Sequence, residues 1–155
     1  MTQIYRKLNE SKALEILRNS NYGILSTSSE NNIPFGTAIN YFFAEDENCL
    51  YFHSKKTGTK INNIKNNSNI SLFIIRNQNI VSERFITHYE SVIVTGKAEI
   101  IFNENEIRKK LILLCDRFAP GIIERREAVI NKYIKSVCIV KINIDCITGK
   151  KNEDY

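Results

Sequence analysis

Between residues 22 and 54 the chain presents three apolar stretches separated by two short polar turns, and this pattern constrains the fold most. The stretches are 22–28 (YGILSTS), 33–44 (IPFGTAINYFFA) and 49–54 (CLYFHS). The turns between them are Ser29-Glu30-Asn31-Asn32 and Glu45-Asp46-Glu47-Asn48. Strand runs joined by tight polar turns form hairpins, so the first half reads as an antiparallel meander. A helix precedes it over residues 9–19, with Ala13, Leu14 and Leu17 as an apolar stripe and Asn9 or Ser11 as its cap. Thr57-Gly58-Thr59 then breaks the strand pattern. Thr59 is placed to cap a short helix carrying Ile61 and Ile64 on one face.

Further strands are expected over 69–76 and 88–102, with 77–87 as a loop. In the second of these strands Val92, Val94, Ala98 and Ile100 share one face, and Gly96 in mid-strand predicts a bend or bulge. Asn103 to Glu106 resembles a capping box opening a helix that runs to about Arg117 and ends at Pro120-Gly121. A second helix is expected over 124–135, a last strand over 137–144, and a polar tail from Thr148 onward. Runs of strands with few helices exclude an alternating α/β arrangement. The expectation is a mainly β protein, a six-stranded antiparallel barrel with flanking helices, in one domain spanning residues 1–155.

Composition narrows the function classes. Of 155 residues 43% are hydrophobic and 25% charged, which suffices for a packed core and excludes wholesale disorder. No apolar run approaches the roughly 20 residues of a membrane helix, and the N-terminus lacks the apolar stretch of a secretory signal. A cytoplasmic location without membrane contact is the expectation. Cys49, Cys115, Cys138 and Cys146 form no CxxC pair, and only His53 and His88 could assist a metal. They read as small buried or half-buried thiols, with no metal site. Both nucleotide fingerprints, GxGxxG and GxxxxGK[ST], are missing from the sequence.

The net charge of +5 is concentrated. From Asn48 to Ser82 there are Lys55, Lys56, Lys60, Lys65 and Arg76 and no acidic residue, so this window carries the whole excess. An anionic partner or a solvated basic face would both account for it. The segment from Tyr51 to Ile64 ends a strand in Ser54, Lys55 and Lys56, turns at Gly58 and starts a helix with Lys60 in its first turn. Unpaired helix N–H groups, a hydroxyl and ammonium groups together suit a phosphate dianion. Lys65 and Arg76 read as solvated charges, Glu124 to Glu127 as a solvent-facing first turn, and His88 as a surface residue at a strand start.

The same residues resemble the pyridoxamine 5'-phosphate oxidase-like family of flavin-binding split barrels, and most closely its nitroimidazole-resistance branch. The resemblance is carried in order by Tyr22 to Thr27, Pro34 to Phe42, Leu50 to Asn67, Ser91 to Ala98, and Ile147 to Lys150. It implies a homodimer of split barrels with FMN at the subunit interface. Ser54 and Lys60 would then hold the phosphate, with Lys55, His53 and Phe52 nearby. The flavin ring would lie along Thr37, Ala38, Ile39 and Asn40, where Gly36, Thr37 and Ala38 are small. The partner subunit would contribute Ser91, Val92 and Lys150. His53 would be the catalytic proton donor or substrate contact, or else a structural hydrogen-bonding group at a strand end. Phe118 would pack over the cofactor, or else in the core or the dimer interface.

The implied activity is reduction of a nitro-aromatic or similar small acceptor with NADH or NADPH as electron donor. A dimer that binds FMN without turnover is the alternative. No arginine follows Arg126, and the chain ends Glu153-Asp154-Tyr155, which argues against vitamin B6 oxidation. A nucleic-acid-binding module is the rival from another class. The chain lacks an RNP-type aromatic motif, and its lysines converge on one corner instead of forming a stripe.

Overall fold

The computed structural model describes residues 6–152. Strands β1 (Arg6–Lys7), β2 (Tyr22–Ser28), β3 (Pro34–Asn40), β4 (Phe42–Ala44), β5 (Cys49–Lys55), β6 (Asn69–Val81), β7 (Ile86–Ile101) and β8 (Val137–Asn152) form one antiparallel sheet. Helices α1 (Glu10–Asn19), α2 (Thr59–Asn66), α3 (Glu104–Phe118) and α4 (Ile123–Tyr133) flank it.

The strand order is β3-β2-β6-β7-β8-β5-β4, with β1 on β8. Its two ends, β3 and β4, are halves of the segment expected as one strand. Only Tyr41 separates them, so the path returns on itself covalently without a β3–β4 ladder. This is the expected split barrel. Counting β3 and β4 as one broken strand and setting aside the two-residue β1 recovers the six expected strands. Tyr41 marks the break by turning fully inward. Its hydroxyl donates to Leu17 O at the end of α1 (2.8 Å), and burial pushes its phenol well above the usual range.

Two expected segments need correction. Residues 77–87 are a hairpin arm instead of a loop: β6 runs to Val81, a 3-10 turn covers Ser82–Arg84, and β7 starts at Ile86. His88 accordingly lies inside β7, opposite Asn79. The polar tail is also a strand as far as Asn152, because residues 146–152 of β8 pair with residues 89–95 of β7 and Lys150 and Lys151 with β1.

Gly96 sits at the expected bulge. The β7–β8 register shifts between Thr95 and Gly96, and a Cβ at Gly96 would stand 2.1 Å from Asn143 O. Asn9 caps α1 by accepting from Lys12 N (2.8 Å), and Asn103 caps α3 by accepting from Glu106 N (3.1 Å). Thr59 does not cap α2; that position is Gly58, at φ 118°, which provides no side chain.

The barrel interior holds Leu25, Leu50, Phe52, Leu72, Val92 and Val94, closed at one end by Ile61 and Ile64 of α2. A second cluster lies outside the barrel, where α3 and α4 set Ile107, Leu111, Leu114 and Ile130 against Cys49, Tyr51 and Ile139. The alternation of β5 serves both: Leu50 and Phe52 point in, Cys49 and Tyr51 point toward the helices. Polar contacts fix α3 over this face. The Tyr51 hydroxyl donates to Glu47, whose carboxylate also pairs with Lys110 of α3 (3.0 Å). These two donors hold the Glu47 carboxyl below the usual range. At the far end of α3, Arg117 donates to the Arg18 and Ser20 carbonyls (2.8 Å each). Cys49 and Cys138 are buried and Cys115 half-buried as expected, whereas Cys146 is exposed.

Candidate functional site

The end of β5, the following turn and the start of α2 form one wall of a cavity of about 1060 Å³. Its lining includes His53, Ser54, Lys55, Lys56, Thr57 and Lys60. Leu111, Leu114, Cys115 and Phe118 of α3, with Val129, Ile130 and Tyr133 of α4, form the opposite wall. Asn40 is the only residue of β3 on it.

The core dictates where α2 begins. Ile61 and Ile64 are buried in the barrel mouth, and Asn63, 4% exposed, donates to Thr27 Oγ1 (3.0 Å). The first intrahelical bond is Asn62 N to Gly58 O (3.0 Å), and no side chain caps the helix. The N–H groups of the first turn therefore lack helical acceptors and carry the positive end of the helix dipole. Ser54, on the barrel-facing side of β5 with Leu50 and Phe52, also lines the cavity. It is 5% exposed, and its Oγ is buried without a hydrogen-bond partner. A buried hydroxyl left unsatisfied costs about 1–3 kcal/mol, and a bound oxyanion would remove that cost. With Lys55, Lys56 and Lys60 on the lining and no carboxylate among the described residues there, the donor set fits a phosphate monoester.

His53 projects from the helix-facing side of β5. The residue is exposed, but the surrounding wall partly desolvates it. That desolvation, reinforced by Lys60, lowers its pKa below the usual imidazole value. A neutral imidazole at pH 7 can accept or donate a proton.

Asn40, His53, Ser54, Lys55 and Lys60 come together at the cavity. Thr37, Ala38 and Ile39 continue along β3 away from it. Ala38 is on the outer sheet face opposite Ile24, and Ile39 turns into the core. The Phe52 side chain is wholly inside the barrel, so only its backbone can meet a ligand. Ser91 and Val92 lie on β7, where Ser91 pairs with Lys150 of β8 and Val92 is core. The cavity lining of this chain includes none of these three.

Phe118, 37% exposed, lines the cavity. Arg76 is not simply solvated but pairs with Glu90 (3.6 Å). Arg126 and Glu127 do not face solvent alone: they pair with Asp116 and Arg108 of α3 and brace the two-helix wall. Apart from Phe118, the apolar wall residues of α3 and α4 are site residues that the sequence reading does not single out. Their helical spacing was readable, but not which side of the sheet they would cover. Among the described residues no group of three or more metal-ligating side chains occurs, and no helix is long and apolar enough to cross a membrane.

Comparison with known proteins agrees with the fold. The sequence pattern of the pyridoxamine 5'-phosphate oxidase family matches residues 10–143, and the chain belongs to that family. No curated protein matches it. Among solved structures, a Bacteroides thetaiotaomicron protein assigned to 5-nitroimidazole antibiotic resistance shares 19% identity over 96% of this chain and 89% of its own, with a TM-score of 0.77. The flavocytochrome Anf3 of Azotobacter vinelandii shares 21% identity over 97% of this chain and 70% of its own, at a TM-score of 0.78. A FAD-binding protein of Mesorhizobium loti shares 17% over 97% and 99%, at 0.68. At these identities the likeness is one of fold.

Proposed function

We propose that the protein is a flavin-dependent reductase that takes electrons from NADH or NADPH and passes them to a nitro-aromatic or similar small acceptor. The observation that carries the flavin reading is the buried, unpartnered Ser54 hydroxyl beside the uncapped start of α2. Family membership supports a flavin, and FMN is the smallest one with the phosphate this corner fits. The resistance protein and flavocytochrome among the similar folds support a redox role.

When bound, a flavin supplies electron-transfer chemistry that no side chain here provides. The chain's residues do the rest. Ser54, Lys55, Lys60 and the first-turn N–H groups of α2 hold the phosphate. Thr37 to Asn40 offer a backbone edge with exposed Gly36 and Ala38 beside it, where a flat ring can approach closely. His53 Nε2 or Nδ1 carries a proton to or from the reacting acceptor. The α3–α4 wall keeps water from one side of the site.

A homodimer completes this reading. The outer sheet face carries a row across five strands, Ala38–Ile24–Phe73–Ile93–Thr148, in direct register. Ile24 and Ile93 on it are 41% and 38% exposed. The row adjoins the β3 edge, so a second copy on this face would bring its Ser91, Val92 backbone and Lys150 toward the ring. The deciding experiment is NADH and NADPH oxidation by the flavin-loaded protein with nitro-aromatic, quinone and free-flavin acceptors. Acceptor-dependent turnover supports the reductase. Bound flavin without turnover on any acceptor would leave a flavin-binding dimer.

A further inference from the structure

We infer that the acceptor this site takes is a flat, fused-ring aromatic carboxylate, held between the α3–α4 wall and the Lys56 ammonium. The inference rests on the flavin reading above and names the substrate class of that site.

Three observations carry it. First, most of the cavity lies away from the groups assigned to the flavin. The phosphate takes the corner at Ser54 and Lys60, and of Thr37 to Asn40 only Asn40 borders the cavity. His53, which carries the proton, lines the same space as α3 and α4, so the acceptor it serves lies against that wall. Second, the space is large and partly aromatic. At about 1060 Å³ it reaches the top of the range of roughly 300–1,000 Å³ for pockets that enclose whole drug-sized ligands, more than a single small ring fills. Phe118 and Tyr133 present ring surface there among Leu114, Val129 and Ile130, which suits a flat apolar body. Third, one cation is left over. Ser54, Lys55, Lys60 and the first-turn N–H groups of α2 suffice for a phosphate dianion. Lys56 remains, half-buried on the lining and without an ion pair among the described residues. A single ammonium matches a single carboxylate. Cations also flank the aromatic wall: the Arg117 guanidinium lies 5.5 Å from the Phe118 ring centre and the Lys132 ammonium 5.2 Å from that of Tyr133. With a nitro acceptor of this class, NAD(P)H and a proton go in, and a nitroso group, water and NAD(P)⁺ come out.

The test uses unreactive probes on the flavin-loaded protein. Naphthoate and its neutral counterpart naphthamide are titrated calorimetrically into wild type, Lys56→Gln and Tyr133→Ala, and flavin affinity is measured for each by fluorescence. Tyr133 is 48% exposed, so its truncation leaves the core intact. The expected result is naphthoate bound at least about 10-fold tighter than naphthamide, the scale of a hydrogen bond to a charged group. Lys56→Gln removes that preference and shifts naphthamide by less than about 2-fold. Tyr133→Ala weakens both probes about 10-fold, the scale of one aromatic stacking contact, and shifts flavin affinity by less than about 2-fold. Nitronaphthoate is reduced with a lower KM than nitronaphthamide. Equal binding of the two probes, or a preference that survives Lys56→Gln, would overturn the inference and leave the flavin reading intact. So would a Tyr133→Ala protein that loses flavin affinity but not probe affinity, or probe binding without reduction of nitronaphthoate. A wild-type protein that retains no flavin would sink the flavin reading, and this inference with it.

Discussion

Gly96 lies so close to Asn143 that a Cβ would stand 2.1 Å from the Asn143 carbonyl oxygen. Backbone meets backbone here, at the point where the β7–β8 register shifts by one residue. A flexible side chain could yield; a strand in the middle of the sheet cannot. Overpacking normally costs about 1–3 kcal/mol. Gly96→Ala is expected at or above the upper end, lowering the melting temperature by about 10 °C. Urea unfolding of the variant checks this, and a loss below about 1 kcal/mol would mean the bulge is freer than its geometry indicates.

Ser54→Ala separates binding from stability. The hydroxyl satisfies nothing within the chain, so its removal should leave the flavin-free protein as stable as wild type or more stable. Flavin affinity should fall roughly 10- to 100-fold, from about 1.5–3 kcal/mol for a hydrogen bond to a charged group. Thermal unfolding with and without flavin measures both. Equal destabilisation in the two states would make Ser54 a structural residue.

How far the sequence discloses this arrangement depends on where each signal is stored. The meander, the Gly96 bulge and the phosphate corner are local, written in turn residues, a mid-strand glycine and a lysine-bearing helix start. The hairpin arm is not. Asn77, Gln78 and Asn79 show no alternation, the β6–β7 register shifts there, and Asn77 and Phe85 adopt positive φ (56° and 54°). Residues 146–152 look like a polar tail because neighbours on both sides, β7 and β1, hold them in the sheet in place of their own propensity. The α3–α4 wall shows its amphipathic spacing in the sequence. Its docking onto β5 depends on the long-range Glu47–Lys110 and Arg117–Ser20 contacts.

His53 should make stability depend on pH. Its pKa is lowered in the folded protein from the ordinary value of 6.5. Between the folded value and 6.5 the unfolded chain binds more protons, so stability rises with pH through that window and levels off above it. His53→Gln should flatten this part of the profile. A bound phosphate dianion should raise the His53 pKa, which NMR titration of the ring with and without flavin would detect. A ring that titrates at 6.5 or above without ligand would contradict the reading.

Ile93→Lys tests the dimer. Ile93 is 38% exposed on the outer sheet face, so a lysine there leaves the barrel core intact. The wild-type protein is expected to sediment as a dimer and the variant as a monomer with weakened flavin binding. A wild-type monomer that binds flavin fully would remove the partner subunit from the site.

The central claim is that the Ser54–Lys60 corner holds a flavin phosphate. Its most direct measurement is the visible absorption spectrum of the purified protein after flavin addition and gel filtration, wild type beside Lys60→Ala. The account predicts a retained flavin band of about one per chain for wild type and its loss from the variant. A wild-type protein that retains no flavin, or a Lys60→Ala protein that retains it fully, would contradict it.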